Sequence, residues 1–209
     1  MGMNSMEKIK NFICNHFDFR VYPVTIFVIL AALAVVPSVK FLPETWGYEN
    51  GVLENLQMLT LGIGLFLAIF AKANKKFFYF AALIIVLLIA REINYGRTIF
   101  FPIPGEVNAY YSWKDIKYGW LVNPLVGLYI TCTALYFIIS KAYSQMWNII
   151  KDIKFPVWNF MLLFIGMGLG EYAEKATENF VFEEISELLF YVALTSIIWL
   201  YGHNKSFKC

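Results

Sequence analysis

The residues able to do chemistry in this chain are a small set of ionisable and amide side chains placed inside or beside apolar sequence. Arg91, Glu92 and Asn94 stand in Arg91-Glu92-Ile93-Asn94-Tyr95-Gly96-Arg97. Glu171, Glu174 and Glu178 recur at i, i+3 and i+7, a spacing that sets all three on one face of a helix. Glu183, Glu184 and Glu187 crowd the beginning of a later apolar run, and Glu49, Glu54, Asn55 and Gln57 the beginning of an earlier one. A charged side chain within a bilayer costs a few kcal/mol even on insertion scales, so each such residue marks a functional site until it is otherwise explained.

The donor types narrow the chemistry. Carboxylates, amides and carbonyls without His or Cys suit a hard cation such as Ca²⁺, Mg²⁺ or Mn²⁺ rather than Zn²⁺. The spacings 171/174 and 183/184/187 set acid pairs on common helix faces, which makes Glu171, Glu174, Glu184 and Glu187 the candidate metal ligands. Arg91, Glu92, Asn94, Arg97, Glu54, Glu171, Glu174 and Glu187 are the candidate ligand-binding set, because Arg91 and Arg97 can instead grip a phosphate or carboxylate in bidentate fashion. A competing structural reading is that the two arginines only neutralise some of the acids. Other chemistries have no residues to run on. His16 and His203 lie at the far boundary from the acids, and Ser186 beside Glu187 has no base partner. Cys14, Cys132 and Cys209 are too scattered for a disulfide framework or a metal pair. No phosphate loop, dinucleotide fingerprint or CxxC occurs.

The elements that position these residues follow from composition. The chain has 209 residues, 59% hydrophobic and 15% charged, where a soluble domain carries roughly a quarter charged. A net charge of +2 leaves no basic surface for nucleic acid. The apolar runs fall near 21–42, 52–71, 77–96, 120–140, 156–176 and 184–202, each close to the ~20 residues that a spanning helix needs. The expected fold is therefore all-α, a polytopic bundle of six transmembrane helices over 21–202, with a cytoplasmic segment 1–20, an interfacial outer loop 97–119 and a cytoplasmic tail 203–209. Nothing in the first twenty residues has the apolar core of a cleavable signal, and Met6 stands where a myristoylation signal needs a hydroxyl.

Orientation comes from the connections. The N-terminal segment, the Lys72/Lys75/Lys76 turn, the Lys141 to Lys154 loop and the Lys205/Lys208 tail hold eleven Lys or Arg against Glu7, Asp18 and Asp152. Six basic and twelve acidic residues occupy the rest, so both termini are expected in the cytoplasm of a cell membrane. Counted at ~1.5 Å per residue from the inner boundary, Arg91, Glu171 and Glu187 reach one level about 21–23 Å up a ~30 Å core. Four helices would thus offer polar groups to a single slab near the outer face. The lipid bilayer is the implied partner, with a homo-oligomer or a larger membrane complex compatible with the same pattern.

Two local patterns add to the frame. Glu49-Asn50-Gly51-Val52-Leu53-Glu54 reads like Glu178-Asn179-Phe180-Val181-Phe182-Glu183, and Tyr22-Pro23-Val24 like Phe155-Pro156-Val157. A helical hairpin occurring twice would make a parallel repeat about an axis near the membrane normal, although Glu and Asn also favour helix starts for capping alone. Gly166-Met167-Gly168-Leu169-Gly170 has the spacing that lets helix backbones approach closely.

The segments Glu49 to Glu54, Arg91 to Arg97 and Glu183-Glu184-Ile185-Ser186-Glu187-Leu188 resemble those of a broad group of uncharacterised bacterial multi-pass membrane proteins. These carry an acidic helix start, a Glu-Ile-Ser-Trp-Gly-Gln-like segment and a Glu-Glu-x-x-Glu-Leu-like last helix. Arg91 stands here in place of a more usual Glu, Asn94-Tyr95 in place of Ser-Trp, and Arg97 in place of Gln. The resemblance implies membership and brings no activity. Two functions are therefore expected in competition: an outward pocket for a cation or small polar solute, serving transport, a channel or sensing, and a membrane-embedded enzyme acting on a lipid headgroup at the outer leaflet. A structural subunit comes third.

Overall fold

A computed structural model describes residues 16–152 and 154–204 and is mostly helical. Cys14, Cys209 and the terminal lysines lie outside the described residues. In chain order the elements are β1 (Phe17–Asp18), α1 (Pro23–Phe41), α2 (Val52–Ile69), α3 (Lys75–Glu92), α4 (Arg97–Phe100), α5 (Val122–Ile139), α6 (Ala142–Asp152), β2 (Phe155–Pro156), α7 (Val157–Ala176) and α8 (Phe180–His203), with single 3₁₀ turns at Glu44–Gly47, Asn94–Gly96 and Gly119–Leu121. Four of these helices are long and apolar enough to cross a membrane, or five when the bent pair α3 and α4 is taken as one span. α7 has the length but carries Glu171, Glu174 and Lys175 in its last turns.

Helix limits are set by local chemistry. Pro23 begins α1, where its missing N–H costs nothing. Asn179 caps α8 by accepting the Phe182 N–H at 2.9 Å. After α3 the backbone turns left-handed at Asn94 (φ 46°), Tyr95 (φ 55°) and Gly96 (φ 90°), and α4 leaves at 55° to α3. Only the glycine adopts that region without strain, so the turn must be held by its surroundings. Thr98 helps, its hydroxyl donating to the Ile93 carbonyl at 3.2 Å.

α8 is the centre of the bundle. It packs against α7, α2 and α1, while α3 lies on α2, and α5 touches chiefly α3 and α6. The α7–α8 contact is close because of glycine: a Cβ on Gly166 would sit 2.7 Å from the Phe190 backbone nitrogen. The close packing expected of the Gly166 to Gly170 stretch is thus spent inside the chain. Thr25, Asn159 and Ser196 form a buried polar chain across α1, α7 and α8, with the Thr25 hydroxyl donating to Asn159 Oδ1 at 2.9 Å and Asn159 Nδ2 donating to Ser196 at 2.7 Å. Outward faces carry Phe27, Leu33, Val36, Leu128 and Ile139 exposed, the reverse of a water-soluble surface and the arrangement that lipid requires.

Two connections differ from the sequence expectation. The Lys141 to Lys154 stretch is not a loop but contains α6, whose Ala142, Gln145, Met146 and Ile149 are drawn inward at i, i+3, i+4 and i+7. Its polar residues had masked that period. The 97–119 segment, expected as a loop, holds α4 and an isolated antiparallel bridge between Pro102 and Tyr110. Pro102 and Pro104 explain this, since neither can donate to a helical ladder.

Below the bundle, β1 and β2 pair in parallel, Phe17 with Phe155 and Asp18 with Pro156. This brings the beginnings of α1 and α7 together. Asp18 is buried between the Arg20 guanidinium (2.7 Å) and the Tyr22 hydroxyl (2.6 Å). Burial alone would raise its carboxyl, but these hydrogen bonds outweigh it and hold the group at about 2.

Candidate cation-binding cavity

The start of α2, the end of α3, the end of α7 and the start of α8 meet at the end of the bundle opposite α6. Their antiparallel packing converts four separate polar stretches into one wall. Glu49, Glu54, Arg91, Glu92, Glu174, Glu183, Glu184 and Glu187 enclose a cavity of about 310 Å³. Seven carboxylates face one guanidinium there, so the fully ionised lining would carry a net charge of six negatives.

Each side chain is placed by its neighbours. Glu54 is buried one turn into α2 and accepts the Asn50 backbone N–H, a bond made possible by the left-handed backbone at Asn50 (φ 58°). The Asn50 amide in turn donates to the Thr98 carbonyl at 2.9 Å. Asn108 accepts the Glu49 N–H at 3.0 Å, so the 97–119 loop ties down the rim. Gln57, fully buried, donates through Nε2 to Glu184 Oε2 (2.7 Å) and to the Glu184 carbonyl (2.8 Å), while its Oε1 has no partner. Arg91 bridges helices by donating Nη2 to Glu187 Oε1 at 2.6 Å and Nε to Glu92 Oε1 at 3.3 Å. The Tyr191 hydroxyl donates to the same Glu92 oxygen at 2.6 Å. Gly170 leaves the space that Glu187 occupies, since a Cβ there would lie 3.3 Å from Glu187 Cγ.

The centre of the wall is a carboxylate triad. One oxygen from each of Glu92, Glu184 and Glu187 lies within 4.8 Å of the others. Three carboxylates, each able to bind through one or two oxygens, supply a large part of the six to eight oxygens that Ca²⁺ takes, or of the octahedron that Mg²⁺ requires with water completing it.

The sequence-derived ligand set is brought together in part. Arg91, Glu92, Glu54, Glu174 and Glu187 are on the wall with Glu184. Asn94 and Arg97 are not among the wall residues: Asn94 belongs to the turn after α3, and Arg97 Nε is buried without a partner. Glu171 borders a smaller adjoining hollow of about 170 Å³ with Glu174 and Arg91, and its carboxylate is engaged one turn along by Lys175. Of the four expected metal ligands, Glu184 and Glu187 therefore belong to the triad and Glu171 stands apart. Arg91 pairs with Glu187 on α8 and with Glu92 on its own helix, and its side chain is 54% exposed. The long stem lets the guanidinium extend toward the cavity mouth while its end stays hydrated.

The wall also holds Glu49 and Glu183, and Tyr191 supports it from behind. Tyr191 was not among the expected site residues, and the signal that could have found it is that Glu184, Glu187 and Tyr191 fall at i, i+3 and i+7. Ser186 donates back to the Phe182 carbonyl at 2.7 Å, as a packing hydroxyl does. No protein-family model matches the chain, and neither a curated protein nor a solved structure is similar to it at a significant level. The class defined by the fold is a helical protein with several apolar helices long enough to cross a membrane.

Proposed function

We propose that this chain is a six-span membrane protein, both termini cytoplasmic, whose outward-facing cavity binds a divalent hard cation as part of a transport, channel or sensing role. The observation that carries the reading is the Glu92, Glu184 and Glu187 triad, whose carboxylate oxygens converge within 4.8 Å on a wall with a single guanidinium. Carboxylates that close repel unless protons or cations lie between them. The basic excess of the inner connections supports the orientation, since its described members before or at the start of α3 and around α6, Lys72, Lys75, Lys76, Lys141, Lys151 and Lys154, lie at the opposite end from the cavity. A parallel hairpin repeat, α1–α2 and α7–α8, is supported by the paired β1 and β2 before the two first helices and by acidic starts on both second helices.

Thermal unfolding of the purified protein tests this. A ligand that binds only the folded state stabilises it by RT ln(1 + [L]/Kd), about 2.7 kcal/mol at a hundredfold excess over Kd. Ca²⁺, Mg²⁺ or Mn²⁺ should raise the melting temperature saturably, and Glu184→Gln should abolish the rise while the protein still folds. Equal shifts from NaCl at matched ionic strength would leave only charge screening. The site would then be an arginine-centred one for a lipid headgroup, where Arg91, half exposed at the mouth, would meet a phosphate in an enzyme acting at the outer leaflet.

A further inference from the structure

A second cavity lies at the other end of the bundle and has the opposite chemistry. It measures about 730 Å³, within the roughly 300–1,000 Å³ range of small-molecule sites. α3 and α6 form one side of it and the start of α7 and the end of α8 the other, with Phe78, Ile84, Met146, Ile149, Phe160 and Ile198 among the lining residues. Of the described residues that line it, only His16 and Tyr201 bring a polar side-chain group. Water finds few partners in such a space, and left unfilled it forfeits dispersion contacts along its apolar walls.

The cavity is built to stay open. The Phe77 N–H donates to Gln145 Oε1 at 3.1 Å, fixing α6 to the beginning of α3. Phe155 stacks on Phe160 with centroids 4.0 Å apart and meets Phe17 edge-on at 5.9 Å, so the β1–β2 side is a rigid aromatic wall. Bulky rings held this way cannot collapse inward to fill the gap.

Lysines stand next to the lining residues in the chain. Lys76 immediately precedes the lining residue Phe77, and Lys154 immediately precedes Phe155. Both belong to the connections that hold eleven basic residues against three acidic ones. In a bilayer an acyl chain gains nothing by merely leaving water, so a preference for this cavity must come from packing on the rings and from charge at the rim.

We infer that this cavity holds one acyl chain of an anionic phospholipid, with the phosphate at Lys76 and Lys154. The site is independent of the acidic cavity at the far end. The full chain reconstituted in phosphatidylcholine vesicles with a small fraction of phosphatidylglycerol bearing a diazirine in mid-chain provides the test. Illumination and peptide mapping should place adducts on Met146, Ile149 or Phe160. Unlabelled phosphatidylglycerol should compete roughly tenfold better than phosphatidylcholine, and Lys76→Gln with Lys154→Gln should remove that advantage. Ala81→Phe, which puts a ring into the void, should suppress the adducts while elution profile and helical signal stay as in the wild type. Adducts spread instead over the outward faces of α1 and α5, or equal competition by the two lipids, would overturn the inference. Should Ala81→Phe fail to fold, the wild-type adduct map and competition decide the matter alone.

Discussion

Replacing Asn159 by Ala removes a side chain that joins three helices. Thr25 loses its acceptor and Ser196 its interhelical donor, at 2.9 and 2.7 Å respectively. Interhelical hydrogen bonds in membranes average about 0.6 kcal/mol and reach about 1.7, so the two together contribute roughly 1–3 kcal/mol. Ser196 keeps its bond to the Ala193 carbonyl at 2.6 Å, which limits the loss on that side. Reversible unfolding in mixed micelles, followed by the helical signal, should register about 2 kcal/mol for Asn159→Ala. Asn159→Leu should cost less, because it fills the space and both hydroxyls can bond within their own helices. A double-mutant cycle of Asn159→Ala with Thr25→Ala should return a coupling near 0.6 kcal/mol. Zero coupling, or a single-mutant loss below about 0.3 kcal/mol, would show that the polar chain carries no weight and that apolar packing alone aligns α1, α7 and α8.

Gly166→Leu should destabilise by about 3 kcal/mol in the same assay, because the new side chain meets the backbone of Phe190 and Ser186; Gly168→Leu, which meets nothing, should change little and serves as its control. Asp18 has a folded value depressed to about 2, so its stabilising contribution is present above the ordinary carboxylate value of 3.8 and is lost as pH falls toward 2. Because its Arg20 partner is 62% exposed, the effect should be about 1 kcal/mol, and Asp18→Asn should flatten the stability profile between pH 4 and 2. With Cys14, Cys132 and Cys209 replaced by serine, Lys75→Cys should react with an impermeant maleimide only after the cells are opened; labelling of intact cells would reverse the orientation.

The helices were legible because their apolar runs are long and bounded by Pro, Gly and charge. The expected start of the fifth run at residue 156 and its end at 176 lie within a residue of Val157–Ala176. The cavity was legible as a depth coincidence, since equal counts along straight helices place Arg91 and Glu187 at one level, where they meet at 2.6 Å. What counting along helices cannot supply is azimuth. Glu171 shares that level yet faces Lys175 on its own helix, whereas Glu92, one residue from Arg91, turns inward to Tyr191. α6 was hidden for a related reason, its inward stripe being diluted by Gln145 and its outer face carrying the apolar Tyr143, Trp147 and Ile150. The left-handed turn at Asn94 to Gly96 leaves Arg97 outside the lining of the cavity, and nothing in the spacing of a motif predicts such a bend.

The central position of α8 has a consequence for how the protein is made. α8 follows the other apolar helices in chain order, yet it is the one against which α1, α2 and α7 all rest. Until it emerges from the ribosome, Gln57 has no Glu184, Arg91 has no Glu187 and Glu92 has no Tyr191. The earlier helices must therefore wait in the insertion machinery or in lipid with their polar groups unmatched, which makes the nascent chain a substrate for membrane quality control. Chains stopped before Phe180 should be cleared rather than accumulate. Assembly is thus gated by the arrival of α8, and the acidic cavity closes its wall only once that helix is in place.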